Sequence, residues 1–174
     1  MAATLGTRYE RIEAAKAAIL SLLDGLDDEH LNRRPPGNEW SAIQVICHLV
    51  RAESLSLHYI RKKMLGDDHD DGGLRGKLRS GALSLILKLP FRYQAPARSG
   101  ELPARAELEP TRREWEEGRA GWKELVDSLS PEQARKTIFR HPVAGPLTLS
   151  QTLRFMDNHI KRHTGQVERI LCRS

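Results

Sequence analysis

The stretch Trp40-Ser41-Ala42-Ile43-Gln44-Val45-Ile46-Cys47-His48-Leu49 combines a helix start with a candidate metal ligand. Ser41 followed three residues later by Gln44 is a capping box, which predicts that a helix begins at about Ala42. Apolar residues recur from there to Leu65 at the spacing of an amphipathic helix. The sequence therefore predicts a long second helix with His48 in its second turn.

Three other segments have helical periodicity: Thr7 to Leu26, Thr111 to about Leu129, and a last helix from Thr148 or Ser150 nearly to the end. Short helical turns are predicted at Asp27–Leu31 and Ser130–Gln133. No convincing strand pair is present, and we interpret Thr137–Pro146 as extended or looped. Four amphipathic helices without a strand pair predict an all-α four-helix bundle. At 174 residues, positions 1–174 are expected to form one domain.

The connection from Gly66 to about Glu109 separates helices two and three. Connections of this length are uncommon inside compact domains unless they are crossovers or functional lids. A crossover would let helices two and three run parallel. Its apolar piece, Leu83–Leu89, has three possible roles: it covers a pocket, joins a dimer interface, or packs in the core.

Composition argues against several classes of function. The formal net charge is +5, but basic and acidic residues are interleaved and aromatic residues make up only 5%, so we expect no nucleic-acid partner. The most apolar segment is far shorter than the ~20 residues that span a bilayer. The N-terminus lacks a signal-peptide pattern, and two cysteines lie far apart. A cytoplasmic protein without a membrane partner is expected.

Histidines supply the candidate site. His159 and His163 are four residues apart in the last helix, which places both imidazoles on one face, as for two ligands of one ion. His48 could complete the set, and three nitrogens with open positions are typical of a catalytic metal site. The alternative is that these are core or interface histidines with ordinary hydrogen bonds. His58 lies ten residues beyond His48, which is about 15 Å along a helix. It is therefore excluded as a ligand of the same ion.

The acidic loop Asp67–Gly73 around His69 is not a calcium loop, because Leu78 stands where an EF-hand needs glutamate. His30 and His141 lie in connections, where structural or exposed roles are expected.

Several neighbours of the histidines have two possible roles. Gln44 and Gln166 could orient a bound water or an imidazole, or they could be a helix cap and an ordinary polar residue respectively. Cys47 is interpreted as a packing residue rather than a nucleophile. Arg51 and Arg162 could attract an anionic substrate, although exposed arginines are common.

Two ordered segments resemble a known family. The first is Pro36-Gly37-Asn38-Glu39-Trp40-Ser41 continued by Val45-Ile46-Cys47-His48-Leu49; the second runs from His141 through Phe155, His159 and His163 to Gln166-Val167. Together they resemble the DinB-like superfamily of DinB/YfiT-like metalloenzymes. The resemblance implies a four-helix bundle of up-down-down-up topology. It also implies homodimers and a divalent metal, commonly nickel or zinc, on His48, His159 and His163.

Three functions are compatible with such a site. A metal on neutral imidazoles can activate a low-molecular-weight thiol for S-transfer or isomerisation of a small-molecule substrate, or a water for hydrolysis. The resemblance slightly favours the thiol reaction. The third possibility is a non-enzymatic, stress-associated binding or dimerisation module.

Overall fold

The computed structural model describes residues 4–37, 39–64, 70–71, 101–141 and 145–173. The elements are α1 (Leu5–Ser21), α2 (Asp28–Asn32), α3 (Ala42–Met64), β1 (Asp70–Asp71), α4 (Leu108–Ser128), a 3-10 turn (Gln133–Arg135), β2 (Lys136–His141), β3 (Gly145–Thr148) and α5 (Leu149–Leu171). Most of the acidic loop, including His69, and the apolar piece Leu83–Leu89 lie outside the described residues.

The four long helices α1, α3, α4 and α5 form a bundle, and their side-chain pairs give the helix directions. From α3 to α4 both residue numbers rise together: Cys47 Sγ lies 4.0 Å from Thr111 Oγ1, Glu53 pairs with Arg119, and Arg61 pairs with Glu124. Helices α3 and α4 are therefore parallel, as the crossover predicts.

Helices α1 and α4 run in opposite directions, because their residue numbers change in opposite senses: Glu13 pairs with Arg119 and Asp24 with Arg112. The architecture is the all-α, up-down-down-up four-helix bundle, and the prediction of its fold class is confirmed. Over the described ranges, none of the helices combines the length and apolar character that a bilayer span requires.

Local sequence signals explain where α3 and α5 begin and where α1 ends. The predicted capping box is present: Ser41 N donates to Gln44 Oε1 (3.1 Å) and Gln44 N donates to Ser41 Oγ (3.4 Å). Thr148 caps α5 in the same way with Gln151. Helix α1 ends at Ser21 rather than Leu26, and Gly25 in the following turn has φ +80°, a backbone conformation that favours glycine.

Helix α4 begins three residues before the predicted Thr111. Pro110 lies in its first turn, where proline is tolerated because the N–H groups there have no partner within the helix. The first N–H of the helix, that of Leu108, donates instead to Asp28 Oδ1 at 2.9 Å. The helix start is thus fixed by a residue that is distant in sequence.

The prediction that no strand pair exists is wrong. Strands β2 and β3 pair antiparallel, Phe139 lies opposite Leu147, and β1 pairs with the other side of β2. Strand β3 has only four residues and contains Pro146, and proline is disfavoured inside a sheet. Pro146 is accommodated because β3 is at the edge of the sheet. Phe139 and Leu147 are buried, so the hairpin covers the bundle.

A buried ion network lies between α1, α3 and α4. Arg119, only 2% exposed, pairs with Glu53 on α3 and Glu13 on α1, and its guanidinium lies 4.4 Å from the centroid of the Tyr9 ring. Burial raises the pKa of Glu53, while Arg119 acts in the opposite direction. Trp122 Nε1 also donates to the Glu53 carbonyl at 3.3 Å. The network ties three of the four helices together.

The segment Glu101–Glu107, which precedes α4, lies against α2 and α3. Gln44 Nε2 donates to the Pro103 carbonyl (2.9 Å), and Arg51 Nη1 donates to the Glu101 carbonyl (3.2 Å). Asn32 on α2 donates to the Ala106 carbonyl and accepts from the Ala106 N–H. Since Gln44 and Arg51 stand on either side of His48 in α3, this segment runs beside the helix turn that carries His48.

Candidate metal centre

The structure brings His48, His159 and His163 together. His48 comes from α3, and the other two come from consecutive turns of α5. Nε2 of His48 lies 3.3 Å from Nε2 of His159, which lies 3.1 Å from Nε2 of His163. Within the described part of the chain, this is the one group of three or more His, Cys, Asp or Glu side chains that could hold an ion. Its donor atoms all lie within 4.8 Å of one another.

The spacing of these nitrogens fits a divalent transition metal. Three nitrogens bound at about 2.0–2.1 Å in a tetrahedral site are about 3.3–3.4 Å apart, and about 2.8–3.0 Å apart in an octahedral one. The observed 3.3 and 3.1 Å separations lie between these limits. These two separations are therefore compatible with a shared divalent ion, and they select neither geometry.

The three imidazoles are held in the neutral form that can coordinate metal. Burial lowers the pKa of His48 from 6.5 to about 4. Burial and the neighbouring His48 lower the pKa of His163 to about 3. The pKa of His159 is also lowered, first by burial and then by the nearby His163, His48 and His141. Near neutral pH each ring is therefore uncharged, and no imidazolium proton has to be lost before the ring can bind a metal.

The two glutamines lie in different surroundings. Gln166 Oε1 is 2.8 Å from His163 Nδ1; since an amide oxygen only accepts, His163 donates from Nδ1, and its Nε2 keeps a lone pair. Both polar atoms of the Gln44 amide are used elsewhere, by the Ser41 N–H and the Pro103 carbonyl. Gln44 is thus a cap and an anchor, whereas Gln166 orients one imidazole.

Aromatic rings beside the imidazoles were missed by the sequence analysis. Trp40 lies with its ring centroid 5.0 Å from that of His48. Phe155 is stacked on His159 at 5.3 Å with a 16° interplanar angle. His141, expected to be structural or exposed, is half-buried, and its centroid lies 4.6 Å from that of Phe155. The spacing of Phe155 and His159, one helical turn apart, was the available signal for this contact.

The remaining candidates lie outside the cluster. His58 is exposed, and His30 is on α2. Cys47 is half-buried against the core, and burial raises the pKa of its thiol, which disfavours a nucleophilic thiolate. Arg162 is close enough for its charge to lower the pKa of His159 and His163.

Comparison with solved structures shows the same fold. The structure is similar to that of YfiT from Bacillus subtilis, described as a probable metal-dependent hydrolase with an unusual four-helix bundle topology, with a TM-score of 0.61 and 17% identity over 95% of this chain and 85% of that one. It is also similar to a conserved protein from Enterococcus faecalis, with a TM-score of 0.62 and 17% identity over 98% and 96% of the two chains.

Sequence comparison identifies the family. The chain is 28% identical to YuaE of Bacillus subtilis (strain 168) over 148 residues, which cover 85% of this chain and 87% of YuaE. The family model of the DinB superfamily matches residues 11–167, nearly the whole chain. These residues include all three clustered histidines, and the chain belongs to the DinB superfamily.

Proposed function

We propose that this protein is a divalent-metal-dependent enzyme and that His48, His159 and His163 hold the ion. The observation that carries the proposal is the convergence of three neutral imidazoles through Nε2, with separations of 3.3 and 3.1 Å. Histidines that serve only to fill the core have no reason to bring the same ring nitrogen, Nε2, of all three side chains together. Zinc and nickel are the ions proposed, since both accept imidazole ligands.

The chemistry of the ligand set favours an anionic second reactant. In the described part of the chain, no carboxylate or cysteine joins the three imidazoles, so the protein leaves the charge of a divalent ion uncompensated. When bound, such an ion lowers the pKa of a coordinated thiol or water and acts as a Lewis acid. The ligand set is compatible with both nucleophiles, and the family resemblance slightly favours the thiol. We therefore propose a low-molecular-weight thiol as co-substrate, and S-transfer to a small electrophile or thiol-dependent isomerisation as the reaction.

The chain's own residues have defined parts in this scheme. The three histidines would hold the ion, and a set of three protein ligands would leave coordination positions for water or a reactant. Gln166 fixes the tautomer of His163 through Nδ1. Arg162 adds positive charge near the cluster, which favours approach of an anionic reactant.

A second candidate is hydrolysis of an ester or amide by a metal-activated water. It is supported by the description of YfiT, which shares the fold, as a probable metal-dependent hydrolase. The same three histidines would serve both reactions, so the two proposals differ only in the nucleophile.

Metal content tests the proposal first. Protein purified without a histidine tag should contain zinc or nickel, or take up about one equivalent after reconstitution. The variants His48→Ala and His163→Ala should each lose most of this capacity. His58→Ala is the matched control, because His58 is exposed and outside the cluster. Negligible uptake by the wild type would favour a non-enzymatic module, and full occupancy in His163→Ala would refute the ligand assignment.

The reaction class is tested with the metal-loaded protein. A panel of low-molecular-weight thiols is combined with a chromogenic electrophile, and a chromogenic ester is assayed without thiol. We expect thiol-dependent turnover that His163→Ala loses and His58→Ala keeps. Ester cleavage that needs metal but no thiol would replace the first candidate by the second.

A further inference from the structure

The three imidazoles differ in what holds their ring planes. His163 donates from Nδ1 to Gln166 Oε1 at 2.8 Å. Among the residues that the structure describes, no hydrogen bond reaches Nδ1 of His48 or of His159; their bonds are those between Nε2 atoms. Metal-ligating histidines usually donate their second N–H to an oxygen, which fixes the ring orientation. Within the described residues, His48 and His159 thus lack the hydrogen bond that orients His163.

Each of these two imidazoles packs against an aromatic ring from outside the histidine cluster. Phe155 lies one helical turn before His159 on α5, and the two rings are nearly parallel, at 16° and 5.3 Å between centroids. Phe155 also contacts the His141 ring, with centroids 4.6 Å apart and an interplanar angle of 64°. Phe155 thus contacts two imidazoles, and the second belongs to the last residue of β2.

His48 on α3 has a corresponding neighbour just before the helix. The ring of Trp40, two residues before the start of the helix, lies 5.0 Å from the His48 ring at 43°. Trp40 is half-buried and packs against the hydrophobic core, so its position is fixed independently of His48. The capping box formed by Ser41 and Gln44 holds the chain between Trp40 and the helix.

We propose that Trp40 and Phe155 are positioning residues that set the ring planes of His48 and His159 by aromatic packing, in place of the hydrogen bond that Gln166 provides to His163. This inference rests on the proposed metal site. The torsion that rotates a histidine ring is broad, and rotation moves Nε2 away from the point where the three nitrogens meet. A neighbouring aromatic ring restricts that rotation in the metal-free protein, so the side chain loses less conformational entropy when the ion binds.

The test measures metal affinity and coordination rather than turnover. Cobalt(II) is bound to Phe155→Leu, Trp40→Leu and the conservative variants Phe155→Tyr and Trp40→Phe, in competition with a chromophoric chelator. We expect the leucine variants to lose about tenfold or more in affinity, the range seen when partners of metal ligands are removed. Their visible cobalt absorption should also change shape. The tyrosine and phenylalanine variants, which keep a ring, should remain close to wild type.

Trp122→Phe is the control for a general packing defect. Trp122 is fully buried and donates to the Glu53 carbonyl, away from the histidines, so this variant should melt earlier yet bind cobalt with an unchanged spectrum. If Phe155→Leu does not fold, Phe155→Met, which keeps more of the volume, takes its place. Unchanged affinity and spectrum in both leucine variants would overturn the positioning role while the metal site stands. Failure of the wild type to bind cobalt or zinc would overturn both.

Discussion

Addition of zinc or nickel to metal-free protein is expected to raise its melting temperature by about 5–11 °C when the free ion is at 100 times its Kd. The ion would join α3 to α5 through histidines 111 residues apart in sequence, so the unfolded chain cannot present the site. Binding to the folded state alone stabilises it by about 2.7 kcal/mol at that concentration. For a domain of 174 residues, each kcal/mol corresponds to about 2–4 °C.

The assay is a series of thermal melts, followed by circular dichroism, in which protein stripped with a chelator is titrated with each ion. The melting temperature should rise with the logarithm of the free ion concentration. His163→Ala should show almost no rise, because only two ligands remain, whereas His58→Ala should follow the wild type. A melting temperature that is independent of both ions would show that neither ion binds the folded protein. An equal rise in His163→Ala and His58→Ala would show that the ion binds outside the histidine cluster.

Three further predictions concern stability and the partners of the site. Metal-free protein should lose stability as the pH falls from about 6.5 to about 4, because burial lowers the pKa of His141 to about 4, and an unfolded histidine, which takes up its proton near 6.5, binds more protons over that window. The urea midpoint of His141→Phe should therefore fall less than that of the wild type, and an equal fall would contradict this. Arg119→Met should lower the free energy of unfolding in urea by about 3–5 kcal/mol, because it leaves the buried Glu53 carboxylate without its partner. Lys123→Met, at an exposed pair, should lower it by less than about 1 kcal/mol. Similar losses in the two variants would argue against the buried network. Gln44→Ala should lower the free energy of unfolding by about 1–2 kcal/mol without a change in metal affinity. Gln166→Ala should weaken metal binding about tenfold with a small effect on stability. Weaker metal binding in Gln44→Ala but not in Gln166→Ala, measured by chelator competition, would reverse the two assignments.

Features encoded in neighbouring residues were predictable from the sequence. The capping box of Ser41 and Gln44 and the helical spacing of His159 and His163 both depend on residues three or four positions apart. The parallel arrangement of α3 and α4 followed from the length of their connection. These signals need no knowledge of which element packs against which.

Features that depend on contacts between distant segments could not be predicted in this way. Pairing of β2 with β3 was missed because β3 has only four residues and contains Pro146, which is compatible with a strand at the edge of a sheet. Gln44 and Gln166 were equivalent candidates in the sequence, and their contacts distinguish them: Gln44 donates to the Pro103 carbonyl, whereas Gln166 accepts from His163 Nδ1. The pairing of Arg119 with two glutamates on other helices has no local signature.

The segment Glu101–Glu107 is held through its backbone, and its exposed side chains take no part in the hydrogen bonds described above. The hydrogen bonds from Asn32, Gln44 and Arg51 all end on its backbone atoms. Substitutions at its exposed positions would leave those bonds intact, whereas Ala106 packs against the core and its N–H donates to Asn32. The backbone beside the His48 turn can therefore stay in place while its surface chemistry diverges, which makes this segment a natural position for mutational libraries aimed at altered reactant preference.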